Sequence, residues 1–135
     1  MEDSGIFIKA LSGFPGPYSS FVYETIGLRG ILDMLRRHSD RRAYFQCTVA
    51  FGSSGLDAHL FTGKVAGKIS RRVVGIKGFG YDPIFIPDGS TKTFGQTSST
   101  FKNSHSHRAK AFQKFAKWYS SGSTYALKSG WVREP

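Results

Sequence analysis

Three short segments carry side chains able to do chemistry. Asp3, preceded by Glu2 and followed by Ser4-Gly5, stands at the head of an apolar run. A carboxylate at a strand end, beside a glycine that lets a ligand approach, suits metal binding or deprotonation of water. A solvated acidic terminus is the plainer alternative. In Gly78-Phe79-Gly80-Tyr81-Asp82-Pro83, two glycines flank an aromatic ring, so the backbone can bend around a flat ligand that the ring covers. Asp82 precedes a proline, which biases it to an extended conformation and fixes its carboxylate. Stacking plus a fixed polar group is how a base is held; a structural turn with Phe79 and Tyr81 in the core accounts for the same residues.

The third segment is Lys102-Asn103-Ser104-His105-Ser106-His107-Arg108. Ser104 or Ser106 can cap a helix by accepting its orphan N–H bonds. His107, Arg108 and Lys110 then put bases where the helix dipole is already positive, at a cost of ~0.3–1 kcal/mol each. An anion at that end explains the arrangement, because helix N–H groups, a guanidinium and an ammonium form a phosphate cradle. A generally basic surface explains it without a ligand. His105 and His107 lie two apart with no third ligand nearby, which argues against zinc.

These segments need elements to position them. Ile6 and Ile8 share one face and Phe7 takes the other, the pattern of a short strand. Gly13-Phe14-Pro15-Gly16-Pro17 is a turn cluster. From Tyr18 to Arg37 apolar residues recur at helical spacing, and Gly27 and Gly30 divide the run into two helices, with Arg36, Arg37 and His38 at a C-terminal dipole end. Arg41 to Phe51 alternates as a strand. Ser53-Ser54-Gly55 reads as a hairpin turn into a strand over Leu56–Thr62, followed by another over Gly63–Ser70. Gly63 and Gly67 mark bulges or close backbone approach there. Gly75 to Gly89 reads as loop, and Ser106 to Tyr119 as a helix with Ala109, Phe112, Phe115, Ala116 and Tyr119 on one face. The order predicts an α/β or α+β domain over residues 1–120, with 121–135 a flexible tail.

Composition bounds the rest. The chain has 135 residues, 39% apolar and 15% aromatic, which excludes a disordered or collagen-like chain. No apolar run approaches the ~18 residues of a membrane span, and Met1-Glu2-Asp3-Ser4-Gly5 is not a signal peptide. The single cysteine, Cys47, forbids an internal disulfide and makes a reducing cytoplasm the expectation. The net charge is +10, unevenly spread. Residues 1–40 are close to neutral, whereas eight bases and no acid lie between Gly89 and Arg133. Such a field attracts polyanions, from nucleotide phosphates to nucleic acid.

The segments, in this order, resemble the inosine triphosphate pyrophosphatase family. The resemblance runs from Glu2 to about Tyr119 and rests on Glu2-Asp3-Ser4-Gly5, Gly13-Phe14-Pro15-Gly16-Pro17-Tyr18-Ser19, Arg41-Arg42-Ala43-Tyr44-Phe45, Gly78 to Phe85, Lys92-Thr93-Phe94, Lys102-Asn103 and Ser106-His107-Arg108. It implies a two-lobed α/β fold, a mixed central sheet with flanking helices and a nucleotide in the cleft, and usually a homodimer. The implied reaction is Mg²⁺-dependent hydrolysis of noncanonical purine nucleoside triphosphates (ITP, dITP, XTP) to monophosphate and pyrophosphate. By resemblance, Asp3 is the general base or metal-linked carboxylate and Ser4 lies beside the phosphates. Phe79, Gly80, Tyr81 and Asp82 hold the base, while Lys102, His107 and Arg108 complete the base pocket and phosphate clamp.

The chain departs from that pattern. It begins at the segment that follows the family's Ser/Thr-x-Asn-x-x-Lys loop and metal-binding Glu. Gly95-Gln96-Thr97 replaces Ala-Glu-Met, Thr100-Phe101 replaces an acidic pair, and Val74 stands where arginine is expected. Three readings follow: a pyrophosphatase completed by a separate N-terminal chain, a catalytically impaired nucleotide-binding remnant, or a basic nucleic-acid-binding module. Without the family's first strands, a sheet edge and apolar faces should be open, inviting pairing with another copy or poor stability.

Overall fold

The computed structural model describes residues 2–52 and 59–129. Its elements are β1 (Glu2–Ile8), α1 (Ser19–Thr25), α2 (Gly27–Met34), β2 (Arg42–Phe51), β3 (His59–Ile69), β4 (Phe85–Pro87), α3 (Ser99–His105) and α4 (His107–Ser129). The strands form one sheet in the order β1-β2-β3-β4. Every pairing among the described residues is antiparallel, and helices flank the sheet. The fold is thus of the expected α/β class.

Alternation builds the sheet. In β2, Ala43, Phe45, Cys47 and Val49 are buried while their neighbours are not, the period-2 pattern of a strand with one face on the core. In β1, Ile6 and Ile8 point inward, while Phe7 stacks on Tyr44 across the strand pair with ring centroids 5.0 Å apart. The main core joins Ile6, Ile8, Ala43 and Phe45 to Val65 and Ile69 of β3, Val22 and Ile31 of the first helices, and Phe85 and Phe94, while Cys47 and Val49 pack with Ala111 of α4 in a second cluster. Fully burying each large side chain is worth ~1.5–3 kcal/mol.

Two of the expected strands are one. β3 runs unbroken through Thr62-Gly63, and its glycines are close approaches rather than bulges. A Cβ on Gly63 would overlap the His107 carbonyl oxygen and the Ala111 amide of α4; one on Gly67 would overlap the Ile86 carbonyl of β4. Gly63 therefore lets the start of α4 lie directly on the sheet. The hairpin turn at Ser53-Ser54-Gly55, and with it the expected strand start at Leu56, lies outside the described residues, as does the tail beyond Ser129. β4 arises inside the stretch expected to be loop, because its three residues pair with Gly67–Ile69.

The helices also differ in detail. Gly27, at φ +74°, opens α2 and breaks it from α1, whereas Gly30 sits within α2. Arg36 follows α2 and pairs with Asp33 at 2.8 Å. α3 precedes the expected helix; the Ser98 hydroxyl caps it, accepting from the Phe101 N–H at 3.1 Å. Ser106 caps α4, accepting from the Ala109 N–H at 3.0 Å. α4 extends to Ser129, beyond the expected end at Tyr119. Of the expected face, Phe115 and Tyr119 meet the sheet at Phe51, whereas Phe112 and Ala116 are exposed, and Ala111 and Trp118 complete the packed face. The Gly63 contact at Ala111 sets this rotation, and Phe51 and Phe61 of the sheet meet Phe115 and Trp118.

The outer edge of β1 is covered where the turn before α1 reaches it. The Ile6 N–H donates to Ser19 Oγ at 2.8 Å, and Phe7 bridges Pro15. Tyr18 and Phe21 remain about two-thirds exposed.

Candidate nucleotide cavity

A cavity of about 740 Å³ opens between the start of β1, α1, the loop before β4 and the α3–α4 junction. That size suits a small organic ligand. Of the residues singled out in the sequence, Ser4, Phe79, Gly80, Tyr81, Asp82, Lys102, His107 and Arg108 all line it. Three distant segments have become one wall.

The loop is organised around Asp82. Gly78 and Gly80 take φ of +74° and +61°, a region open chiefly to glycine. A side chain on Gly78 would also overlap the Asp82 carboxylate. Asp82 opens a 3-10 turn, Asp82–Ile84, instead of being extended; Pro83 fits there because an early position in such a turn needs no N–H. The carboxylate is buried and accepts from the Phe79 N–H at 2.9 Å and from Lys102 Nζ at 2.5 Å. Buried charges survive when paired and hydrogen-bonded in this way.

Phe79 is not a core residue. It is 66% exposed, with Lys102 Nζ 4.0 Å and the Arg108 guanidinium 5.9 Å from its ring centroid. Cations over a ring face are favourable, and the rest of the ring is open to a flat ligand. Tyr81 turns inward instead: its hydroxyl donates to the Ser19 carbonyl at 2.7 Å, and burial pushes its pKa up to about 12. It thus forms the cavity wall, with no hydroxyl left over for a ligand.

His107 is corrected in character. Its ring stacks on Phe45 with centroids 4.8 Å apart and planes 12° from parallel. Burial first, then the charges of Arg108 and Lys102, lower its pKa to about 4. A neutral imidazole cannot serve as a clamp cation at neutral pH. Lys110 is also displaced from the expected cradle, since its Nζ donates to the Lys64 carbonyl at 3.1 Å. Two hydrogen-bonding atoms, Ser4 Oγ and His107 Nδ1, are buried without a partner, and both belong to residues of this cavity.

Asp3 stands beside the cavity and not in its wall. It is exposed and does not line the cavity; strand alternation turns it from the face that Ser4 presents. It does not face the ring and the cations directly, although its neighbour Ser4 does line the wall. No group of three or more His, Cys, Asp or Glu side chains able to hold a metal occurs among the described residues. With Asp82 committed to Lys102, Asp3 at this end of β1 is a carboxylate whose side chain makes no hydrogen bond or ion pair among the described residues. One oxygen donor of this kind fits Mg²⁺, which is commonly held by one or two carboxylates plus substrate phosphates.

Several wall residues escaped the sequence reading: Ser19, Ser20, Tyr23, Phe45 and Asn103. Phe45, Ser19 and Asn103 lie in segments that carry the family resemblance, with no role attached to them.

The chain matches the model of the Ham1 family over residues 1–118. It is 50% identical over 118 residues to a dITP/XTP pyrophosphatase of Hyperthermus butylicus and 52% identical over 118 residues to one of Pyrococcus horikoshii. Each match covers 87% of this chain. The chain spans only 62% and 63% of the length of those two relatives. Among solved structures it is similar to the Ham1 protein of Staphylococcus aureus, with a TM-score of 0.83 and 33% identity, covering 89% of this chain and 65% of that one. A HAM1 protein of Coxiella burnetii aligns with a TM-score of 0.81 and 31% identity, covering 89% and 66%.

Proposed function

Because the chain belongs to the Ham1 family, we propose that it carries the base-binding side of a pyrophosphatase that hydrolyses ITP, dITP and XTP to monophosphate and pyrophosphate. The observation that carries this reading is the convergence on one cavity of an open ring, a buried carboxylate–lysine pair, a guanidinium and an unpartnered hydroxyl.

The base stacks on the open part of Phe79. Lys102, positioned by Asp82, presents N–H donors to a 6-oxo group. Adenine would bring an amino donor to the same place and leave both groups unpaired, a mismatch that discriminates strongly in a desolvated pocket. Neutral His107 offers one donor and one acceptor to the purine edge or ribose, and Arg108 takes the phosphates in its fork. Ser4 Oγ, buried without a partner, donates to a phosphate oxygen. Asp3 would hold Mg²⁺ together with the substrate phosphates, and the ion would supply charge neutralisation at the α-phosphate. In the alternative role of general base, Asp3 accepts the proton of the attacking water.

One observation favours a second reading, nucleotide binding without turnover by these 135 residues: Asp3 stands outside the cavity wall. Pyrophosphate release from ITP, XTP and ATP with Mg²⁺, beside an Asp3→Asn variant, separates the two. Asp3-dependent release from ITP and XTP but not ATP is expected for the enzyme. Thermal stabilisation by ITP without release supports the binding reading; saturation at about 100 times Kd stabilises by ~2.7 kcal/mol. Neither release nor stabilisation would refute both. We assign the reaction to the cytoplasm, where a lone, buried Cys47 is at home. The assembly proposed is a homodimer, supported by exposed Tyr18 and Phe21.

A further inference from the structure

We propose that a second anion site, separate from the nucleotide cavity, lies where α2, the start of β2 and the end of β3 meet, and that it binds the phosphate backbone of duplex nucleic acid. One hollow there, of about 440 Å³, is lined by Arg29, Arg36, Arg41, Arg71 and Arg72. An adjoining hollow shares Arg41, Arg71 and Arg72 and adds Arg42 and Lys68. None of these residues lines the cavity that holds Phe79.

The charge there is unbalanced. Of the two carboxylates in the hollows, Asp33 already pairs with Arg36 at 2.8 Å and Asp40 with Arg42 at 2.9 Å. Arg29, Arg41, Arg71, Arg72 and Lys68 form no salt bridge with either of them. Arg41, which lines both hollows, is the telling member. It is only 8% exposed, and its guanidinium donates to the carbonyls of Ile69, Leu35 and Ser70 at 2.9, 3.0 and 2.7 Å. Neutral carbonyls satisfy its N–H groups but leave its charge uncompensated, a costly state for a buried ion. Burial, and then Arg71, accordingly press its pKa down. An anion in the groove relieves all of this at once.

The ligand class follows from what lines the groove and what does not. Guanidinium forks match phosphate oxygens in bidentate geometry. The apolar lining is aliphatic (Leu32, Val73, Ile69, Val74 and Ile86), with no aromatic ring. Unpaired bases would find no stacking platform there, so the fit is to a ligand whose bases are tucked away and whose phosphates face out. Two hollows sharing three arginines accommodate a run of phosphates better than a single one.

The test is fluorescence anisotropy of the full chain with a labelled duplex of about 20 base pairs, over roughly 50–200 mM salt. Binding should weaken steeply with salt, and the Arg71→Gln/Arg72→Gln variant should reduce the log–log slope by roughly two, about 0.9 for each lost phosphate contact. Both side chains are exposed, so circular dichroism and ITP-induced stabilisation of that variant should match the parent. A Lys114→Gln/Lys117→Gln variant, altered on α4, should keep the parent slope. Any of four results overturns the proposal. These are no duplex binding at the lowest salt, an equal slope loss in the α4 variant, tighter binding of an unpaired strand of the same length, or displacement of the duplex by tripolyphosphate at equal phosphate concentration.

Discussion

Acid should unfold this protein partly through one imidazole. His107 lies against Phe45 with its Nδ1 buried and unpartnered, and its pKa falls from 6.5 to about 4 through burial and then the charges of Arg108 and Lys102. The unfolded chain takes up this proton near pH 6.5, whereas the folded chain resists until about pH 4. Above that window both states are neutral at this site and it contributes no pH dependence. Within it the unfolded state binds more protons, so stability rises with pH and is lost on acidification. At about 1.36 kcal/mol per unit, the full window is worth on the order of 3 kcal/mol, and about 2 kcal/mol is already lost by pH 5. A small domain has only ~5–15 kcal/mol in all. Urea unfolding between about pH 7 and pH 4.5, parent beside His107→Gln, isolates the effect, because carboxylates titrate alike in both proteins and cancel. The parent should lose about 2 kcal/mol more than the variant by pH 5. Parallel curves would refute the reasoning. So would a ring resonance, identified by its loss in the variant, that titrates near pH 6.5.

Three further outcomes follow from contacts in the same region. Lys102→Met strands the Asp82 carboxylate, whose side chain is 5% exposed. It should cost ~3–5 kcal/mol in urea melts and abolish ITP-induced stabilisation, with Asp82→Asn in the same chain restoring part of the stability but not the binding. Tyr81→Phe removes the 2.7 Å bond to the Ser19 carbonyl and should cost ~0.5–1.5 kcal/mol; ultraviolet titration of the parent should show a phenol ionising near pH 12 that the variant lacks. Gly63→Ala would push the start of α4 off the sheet. We expect a loss of ~1–3 kcal/mol together with a His107 pKa moved back toward 6.5, read by nuclear magnetic resonance.

Much of the frame was legible before any coordinates. The alternation of Ala43, Phe45, Cys47 and Val49 could belong only to a strand with one buried face, and the glycines around Phe79 signalled a backbone bent around something flat. Local pattern failed where a tertiary contact supplied the deciding energy. Thr62 and Gly63 read as a boundary because glycine weakens an isolated strand, yet α4 needed that glycine in order to pack. Phe112 looked inward on spacing alone, until the contact at Ala111 rotated the helix. Asp82 looked extended before Pro83, and instead the Phe79 amide and the Lys102 ammonium drew its carboxylate into a turn.

Residue order by itself determined which chemical groups this protein owns: a ring between glycines, a carboxylate beside a proline, and cations at a helix start. It also determined the family to which they belong. Only the folded chain decided what those groups are. Burial made His107 neutral, because desolvation penalises its charged form. The lysine twenty positions away tied up Asp82. The pleat of β1 turned Asp3 aside from the wall that Ser4 joins. Charge state and direction depend on neighbours distant in the chain, and no local pattern of residue types encodes them.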